Sequence, residues 1–184
     1  MCFITGNKIC LREVRREDLS LFKEWRNNAE LTKNFRTVGP IVCQDWYWEN
    51  VVNNIDKHKV FTIIKKEDAI PIGEIRLSNL NLLDGNAEIG IILNPTERKN
   101  GYASEALDLI VSFGFNRLRL NRIEAQYVES NTDSAKLFKR AGFTIDGILR
   151  SSKYFDGTYH NVVVASILAS EDKEKSSLKK EIIK

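Results

Sequence analysis

The stretch LNPTERKNGYASEALDLIVSFGF, Leu93–Phe115, joins two kinds of periodicity. Just upstream, AEIGIIL (Ala87–Leu93) is a nearly unbroken apolar run, the composition of a strand buried on both faces. Downstream, Ala103, Ala106, Leu107, Ile110, Phe113 and Leu118 recur at three and four residues, which predicts an amphipathic helix with its apolar stripe on a sheet. RIEAQYV (Arg122–Val128) then alternates as a strand. Strand, long helix and strand in succession form a crossover, so the two strands are expected to be parallel and adjacent.

Working toward the N-terminus, VFTIIKK (Val60–Lys66) and IPIGEIRLSNL (Ile70–Leu80) read as two strands joined by a polar turn at Glu67 and Asp68. KICLREV (Lys8–Val14) reads as a first strand by alternation. Asp18 can cap a following helix in which Leu19, Phe22 and Trp25 fall at helical spacing. After the Gly39-Pro40 break a second helical stretch uses Trp46, Tyr47, Trp48, Val51 and Val52 as its apolar side. Toward the C-terminus, a helix over Asp133–Ala141 should stop at Gly142. Strands over 143–150 and 160–168 follow, linked through Phe155-Asp156-Gly157-Thr158. The residues beyond are charged and poor in apolar side chains, a frayed helix or a tail.

A chain of 184 residues is the length of one domain with one core. Its 28 basic and 25 acidic residues are interspersed and sum to +3, which argues against nucleic acid as the main partner but leaves small anions open. Cys2, Cys10 and Cys43 show no zinc-binding spacing and read as reduced thiols, with no metal expected. Neither a signal peptide nor a run near 18 apolar residues occurs, so a cytoplasmic protein without a membrane partner is expected.

The decisive six residues are RKNGYA, Arg98–Ala103. A strand ends at Leu93 and a helix starts near Gly101 or Tyr102, so the helix's first amides point unpaired from the carboxyl edge of the sheet, where open α/β sheets place ligands. A helix N-terminus carries about half a positive charge. Gly101 permits close backbone approach, and Arg98 and Lys99 add two cations. The sum describes a diphosphate seat. The competing reading is a solvated loop, since Asn-Gly also marks hairpins. Triphosphate and dinucleotide fingerprints are both absent.

Arg98–Ala103 resembles the [RQ]xxGx[GA] coenzyme A loop of the GNAT superfamily of acetyl-CoA-dependent N-acetyltransferases. The resemblance extends through EIGIIL, RIEAQYVESNTDSAKLFKRAGF and GILRSSKYFDGTYHNVVVASIL, from about Lys8 to Leu168. NxxSxxLFxxxGF and DGxYxxVVxxSIL look most like the RimJ/RimL branch, which acetylates ribosomal-protein N-termini. The resemblance implies a mixed α/β GNAT fold: about seven strands in a mixed sheet, a central splayed parallel pair and about four helices. It places one domain over residues 1–169 and a charged tail over 170–184. It implies acetyl-CoA as cosubstrate. Backbone groups of Ile91, Ile92 and Leu93 would hold the pantetheine arm. Arg98, Lys99, Asn100, Gly101, Tyr102, Ala103 and Ser104 would hold the diphosphate. Asn131 would reach the arm near the thioester, and the following helix with Phe138 would flank it.

Transfer to an amine requires a neutral nitrogen. A lysine-like amine, with a pKa of about 10.4, is neutral roughly one time in 10³ at pH 7, whereas an α-amine near 8 lacks only about one unit. Glu88, on the strand leading into the site, is the candidate base, against a reading in which it pairs with a neighbouring cation; Glu74 and Glu129 stand in reserve. Many relatives place a thiol-protonating tyrosine where this chain has Phe138, so Ser134, one turn earlier, is the candidate contact to sulfur, against a capping role; Tyr127 is a further candidate. His58 and His160 fall on no motif. Trp46-Tyr47-Trp48 and Trp25-Arg26-Asn27 either line the acceptor side or pack the core. The expected acceptor is a protein N-terminal α-amine or a small amine, with an aminosugar, polyamine or aminoglycoside as alternatives, and a non-catalytic acyl-CoA-binding module as the reading of another class. A homodimer is compatible with exposed edge strands.

Overall fold

The computed structural model describes residues 1–28 and 43–172. Eight strands form one sheet, with β1 at Ile4–Thr5, β2 at Ile9–Glu13, β3 at Lys59–Lys65 and β4 at Pro71–Asn81, followed by β5 at Asn86–Leu93, β6 at Arg122–Val128, β7 at Thr144–Phe155 and β8 at Thr158–Leu168. Their order is β1-β2-β3-β4-β5-β6-β8-β7, and β5 and β6 are the parallel pair. The helices are α1 at Asp18–Asn27, a short α2 at Gln44–Tyr47 that continues as a π-helical turn over Trp48–Val52, α3 at Tyr102–Asn116 and α4 at Thr132–Ala141.

Each face of the sheet carries its own core. Beneath α3 and α4, Ala106, Leu107 and Ile110 of α3 pack on Ile75, Leu77, Ile89, Ile123 and Ala125 of the central strands. On the other face, Leu19, Phe22 and Trp25 of α1 meet Tyr47, Val51 and Ile92. α4 begins where Asn131 accepts a hydrogen bond from the Ser134 amide (3.1 Å), and it ends at Gly142 in the left-handed region (φ 86°).

The mixed sheet, parallel pair and layered helices match the expected fold, with three differences. β1 is additional; two residues are too few to leave a periodic trace, and it is held by antiparallel pairing with β2. That hairpin brings Cys2 and Cys10 to a Cα–Cα distance of 5.9 Å, and they are joined as a disulfide, correcting the expectation of reduced thiols for these two; Cys43 is free and exposed. The last two strands run longer than expected, to a tight turn in which Asp156 and Gly157 both have positive φ (49° and 79°), the requirement of a two-residue hairpin. Asp18 is the first residue of α1; its carboxylate accepts from the Arg15 amide (2.8 Å) and, through both oxygens, from the two Nη groups of Arg12 (2.9 Å each). The Gly39-Pro40 break and most of the charged tail lie outside the described residues.

Candidate active site

The site begins where the central strands part. β5 and β6 pair only through Asn86↔Arg122, Ala87↔Ile123 and Glu88↔Glu124. Beyond Glu88, β5 stays paired with β4 as far as Leu93↔Gly73, while its other edge has no strand beside it among the described residues. Alternate residues within Ile91–Leu93 therefore turn main-chain donors and acceptors toward the gap while the others bond β4. The Ile92 and Leu93 side chains are buried on opposite faces, so only backbone can serve a ligand there. The same divergence explains why Glu88, Gly90 and Ile91 are half-buried instead of enclosed on both faces.

After Leu93 the chain makes a 3-10 turn over Pro95–Glu97, whose Thr96 amide donates to Asn94 Oδ1 (3.3 Å). Lys99 (φ 64°) and Gly101 (φ 86°) both adopt left-handed backbone, and α3 starts at Tyr102. The first α3-type bond is Glu105 N to Gly101 O (3.1 Å), and the amides of residues 99–104 donate to no acceptor among the described residues. Successive free amides on such a backbone form an anion-binding concavity. A Cβ built on Gly101 meets nothing within 4 Å, so this glycine supplies its φ and open space, not packing.

Arg98 and Lys99 are exposed on this loop, and Lys8 donates its ammonium to Asn100 O (3.2 Å). Lys8 and Lys66 also line an adjoining cleft of about 390 Å³ with Asn100 and Tyr102. Glu105, the acidic side chain of the first turn, is drawn away by the Lys8 amide (3.0 Å). Free amides, open space and surplus positive charge all suit a diphosphate. Arg98 through Ser104 and Ile91 through Leu93, predicted from sequence as one binding surface, are thus brought together along one edge.

On the face shared with α1 and α2, alternation places Glu88, Gly90 and Ile92 of β5 beside Ser78, Arg76 and Glu74 of β4. Glu88 occupies the last paired position before the gap and accepts from Asn79 Nδ2 (3.0 Å). Its register partner Glu124 is held by Arg122 (3.2 Å) and Gln126 (2.8 Å).

Glu74, the reserve base, is consumed by structure. It is 2% exposed and accepts from Arg26 Nη2 (2.5 Å) and Nε (3.0 Å) and from the Tyr47 hydroxyl (2.6 Å). Burial works to raise its pKa, but the Arg26 and Arg76 charges and these hydrogen bonds hold it below the ordinary carboxylate range. Burial, reinforced by the Glu74 charge, pushes the Tyr47 hydroxyl up. Glu129, the other reserve, is engaged by Asn161 Nδ2 (2.9 Å). The tryptophans divide: Trp25 and Tyr47 are core, Trp48 packs beside them under Arg16 (4.5 Å to the ring centre), and Trp46 is exposed.

On the opposite face, Ser134 and Phe138 lie one turn apart on α4. Phe138 is buried and stacks on Tyr127 of β6 (centroids 5.8 Å, planes 15° apart). Burial raises the Tyr127 hydroxyl pKa. Asn131 and Ser134 meet through the α4 cap, the capping interaction weighed from sequence for Ser134, and it occupies the Asn131 carbonyl oxygen while leaving its amide nitrogen available. Glu88 and Ser134 are not brought together; they stand on opposite faces, with the strand gap between them. Sequence reasoning missed the Arg26–Glu74–Tyr47 cluster and the Glu124 neighbour of Glu88, because cross-strand partners carry no signal in linear spacing.

Among the described residues no group of three or more His, Cys, Asp or Glu side chains gathers at metal-binding distance, and no helix is long and apolar enough to cross a membrane. The family model described as an acetyltransferase (GNAT) domain matches residues 8–144. An uncharacterized N-acetyltransferase p20 of Bacillus licheniformis is 31% identical over 169 residues, spanning 89% of this chain and 94% of that protein. The spermidine N(1)-acetyltransferase of Escherichia coli K12 is 23% identical over 162 residues, spanning 86% and 85%. Among solved structures, spermidine N-acetyltransferase from Vibrio cholerae in complex with CoA and spermine superposes with a TM-score of 0.84 at 22% identity, covering 91% of this chain and 99% of that one. With the parted parallel strands and the open amide loop in place, these matches establish that the chain belongs to the GNAT family of acetyl-CoA-dependent N-acetyltransferases.

Proposed function

We propose that this enzyme acetylates the primary amine of a small molecule by direct attack within a ternary complex. The observation that carries the reading is the parting of β5 from β6 immediately after Glu88, beside the unpaired amides of residues 99–104. Acetyl-CoA supplies the activated acyl thioester. The chain's own residues bind and orient it, with the β5 edge for the pantetheine arm, the Arg98–Ser104 loop for the diphosphate, and Asn131 and Phe138 flanking. Glu88 takes the proton from the attacking nitrogen, directly or through a water, at the base of the opening. A lysine-like amine forfeits roughly 4 to 5 kcal/mol to protonation at pH 7, so a base matters more for it than for an α-amine. Ser134, one turn before Phe138 on α4, and Tyr127, whose ring stacks on Phe138, take the place of the tyrosine usual there in steadying the departing thiolate, whose own acidity makes that demand modest.

Relatives of this chain from Escherichia coli and Vibrio cholerae are named for acetylating spermidine, which shifts the acceptor from protein N-termini toward small amines. Thiol release from acetyl-CoA is the test, with spermidine, an amino sugar and a peptide bearing a free N-terminus as acceptors. Release that depends on the amine and is faster with a small amine supports the reading. Faster release with the peptide restores the N-terminal acceptor, and binding without release with any amine favours a non-catalytic module.

A further inference from the structure

Two nitrogens buried in the β7–β8 hairpin, Lys153 Nζ and His160 Nε2, have no hydrogen-bond partner among the described residues. Lys153 is 5% exposed. It stands directly opposite His160 in the strand pairing, so both side chains leave the same face of the sheet. The Phe155 ring touches both: it stacks on the imidazole at 3.7 Å and 14°, and the ammonium stands over it at 5.2 Å. The ring attracts the cation but offers no lone pair, and an ammonium with three donors and no acceptor is costly to bury. Its burial alone draws the Lys153 pKa down.

The place matters as much as the pairing. Along β8, Val163, Ala165 and Ile167 belong to the core under α3 and α4, so alternation sends His160 and Val162 to the opposite face, the one that carries Glu88, Glu124 and Gln126. Val162 pairs with Val128, the residue after Tyr127, whose ring stacks on Phe138. His160 lies two residues farther, about 7 Å along the strand. A cleft of about 240 Å³ opens there, lined by Val128, Glu129, Ser130, Tyr159, His160 and Asn161. Its one carboxylate, Glu129, is already engaged by Asn161.

We propose that Lys153 and His160 form an anion-recognition subsite on the acceptor side, so that the preferred substrate is an amine carrying a carboxylate or phosphate several bonds from its nucleophilic nitrogen. The proposal rests on the acetyl-transfer reading and narrows it, because a purely cationic polyamine brings a like charge to the buried ammonium.

Three acceptors of matched length separate the possibilities: 6-aminohexanoate, 5-aminopentyl phosphate and 1,6-diaminohexane. For the wild type, kcat/KM should favour one or both anionic amines over the diamine by about tenfold or more, the scale of a charge-assisted hydrogen bond, and their relative rates say which anion is read. In Lys153→Met the ratio of anionic to dicationic acceptor should fall by about the same factor, whereas a structural role for Lys153 would lower all three rates alike. A diamine preferred by the wild type, or a uniform loss in the variant, overturns the proposal.

Because the chain has two histidines, ring-proton NMR gives a readout free of turnover. With the His160 signal assigned by His160→Gln, titration with 6-aminohexanoate or the aminoalkyl phosphate should move it in the wild type and not in Lys153→Met. That shift without thiol release sustains the subsite and counts against the transfer reading. Thiol release without acceptor selectivity removes the subsite alone, and absence of both overturns both.

Discussion

Replacing Glu74 by glutamine removes the charge that tethers α1 and α2 to β4. Arg26 of α1 is 15% exposed at its side chain and Glu74 is 2% exposed, and Tyr47 of α2 donates to the same carboxylate. Glu74→Gln leaves the guanidinium without its counter-ion in that enclosed position, a loss of roughly 3 to 5 kcal/mol. For a chain of this length each kcal/mol moves Tm by about 2 to 4 °C, so thermal unfolding followed by circular dichroism at pH 7 should show a fall of about 6 to 20 °C. Because the folded-state pKa of Glu74 is depressed, its contribution is complete above the unfolded carboxylate value and fades as pH falls through the folded value. Acidification below about pH 5 should therefore narrow the gap between wild type and variant. Asp18, also held low, acts in the same window but is common to both proteins. A double variant, Arg26→Met with Glu74→Met, should recover much of the loss, since it removes the orphaned charge as well. A shift under 2 °C, or a double variant less stable than Glu74→Gln, would refute the reasoning.

Glu88→Gln should lower kcat/KM by about 10² or more at pH 7 for an amine of high pKa, with the deficit shrinking as pH approaches the amine's own pKa and solvent supplies the free base; a pH–rate profile checks this, and a loss independent of pH argues for positioning instead. Under denaturing, non-reducing conditions the protein should present one free thiol, Cys43, and three after reduction. Opening the Cys2–Cys10 link, eight residues apart, should cost about 2.5 kcal/mol by loop entropy, read as a lower denaturation midpoint in reductant.

Elements with long periodic signals were legible in the sequence. The α3 stripe and the alternation of Arg122–Val128 define the crossover, and the observed strand has those same bounds. Gly142 terminates α4 as its chemistry demands. What escaped depends on distance in space. The Cys2–Cys10 bond follows from a hairpin whose first strand is two residues long, and the Glu74 cluster gathers residues from α1, α2 and β4 that lie far apart in the chain. Glu74 and Glu88 look alike in sequence as strand carboxylates near the opening; one is closed off by an arginine and a tyrosine, and the other stands at the last rung before the strands diverge. Resemblance supplied the expectation that the strands splay, and their pairing locates where they do so. The lone ammonium of Lys153 carried no linear signal, because its isolation is a property of the face it occupies.

The most direct test of the central claim is calorimetric titration of the full chain with coenzyme A, beside a Gly101→Asp variant. The open space above Gly101 accommodates the new side chain, so the variant should fold with a penalty of about 1 to 2 kcal/mol for its left-handed backbone. The wild type should bind one equivalent with measurable heat, and the variant, whose carboxylate is set among the amides of residues 99–104, should bind at least about tenfold more weakly. Equal affinity in the two proteins, or no heat from the wild type, would contradict a diphosphate seat at the start of α3.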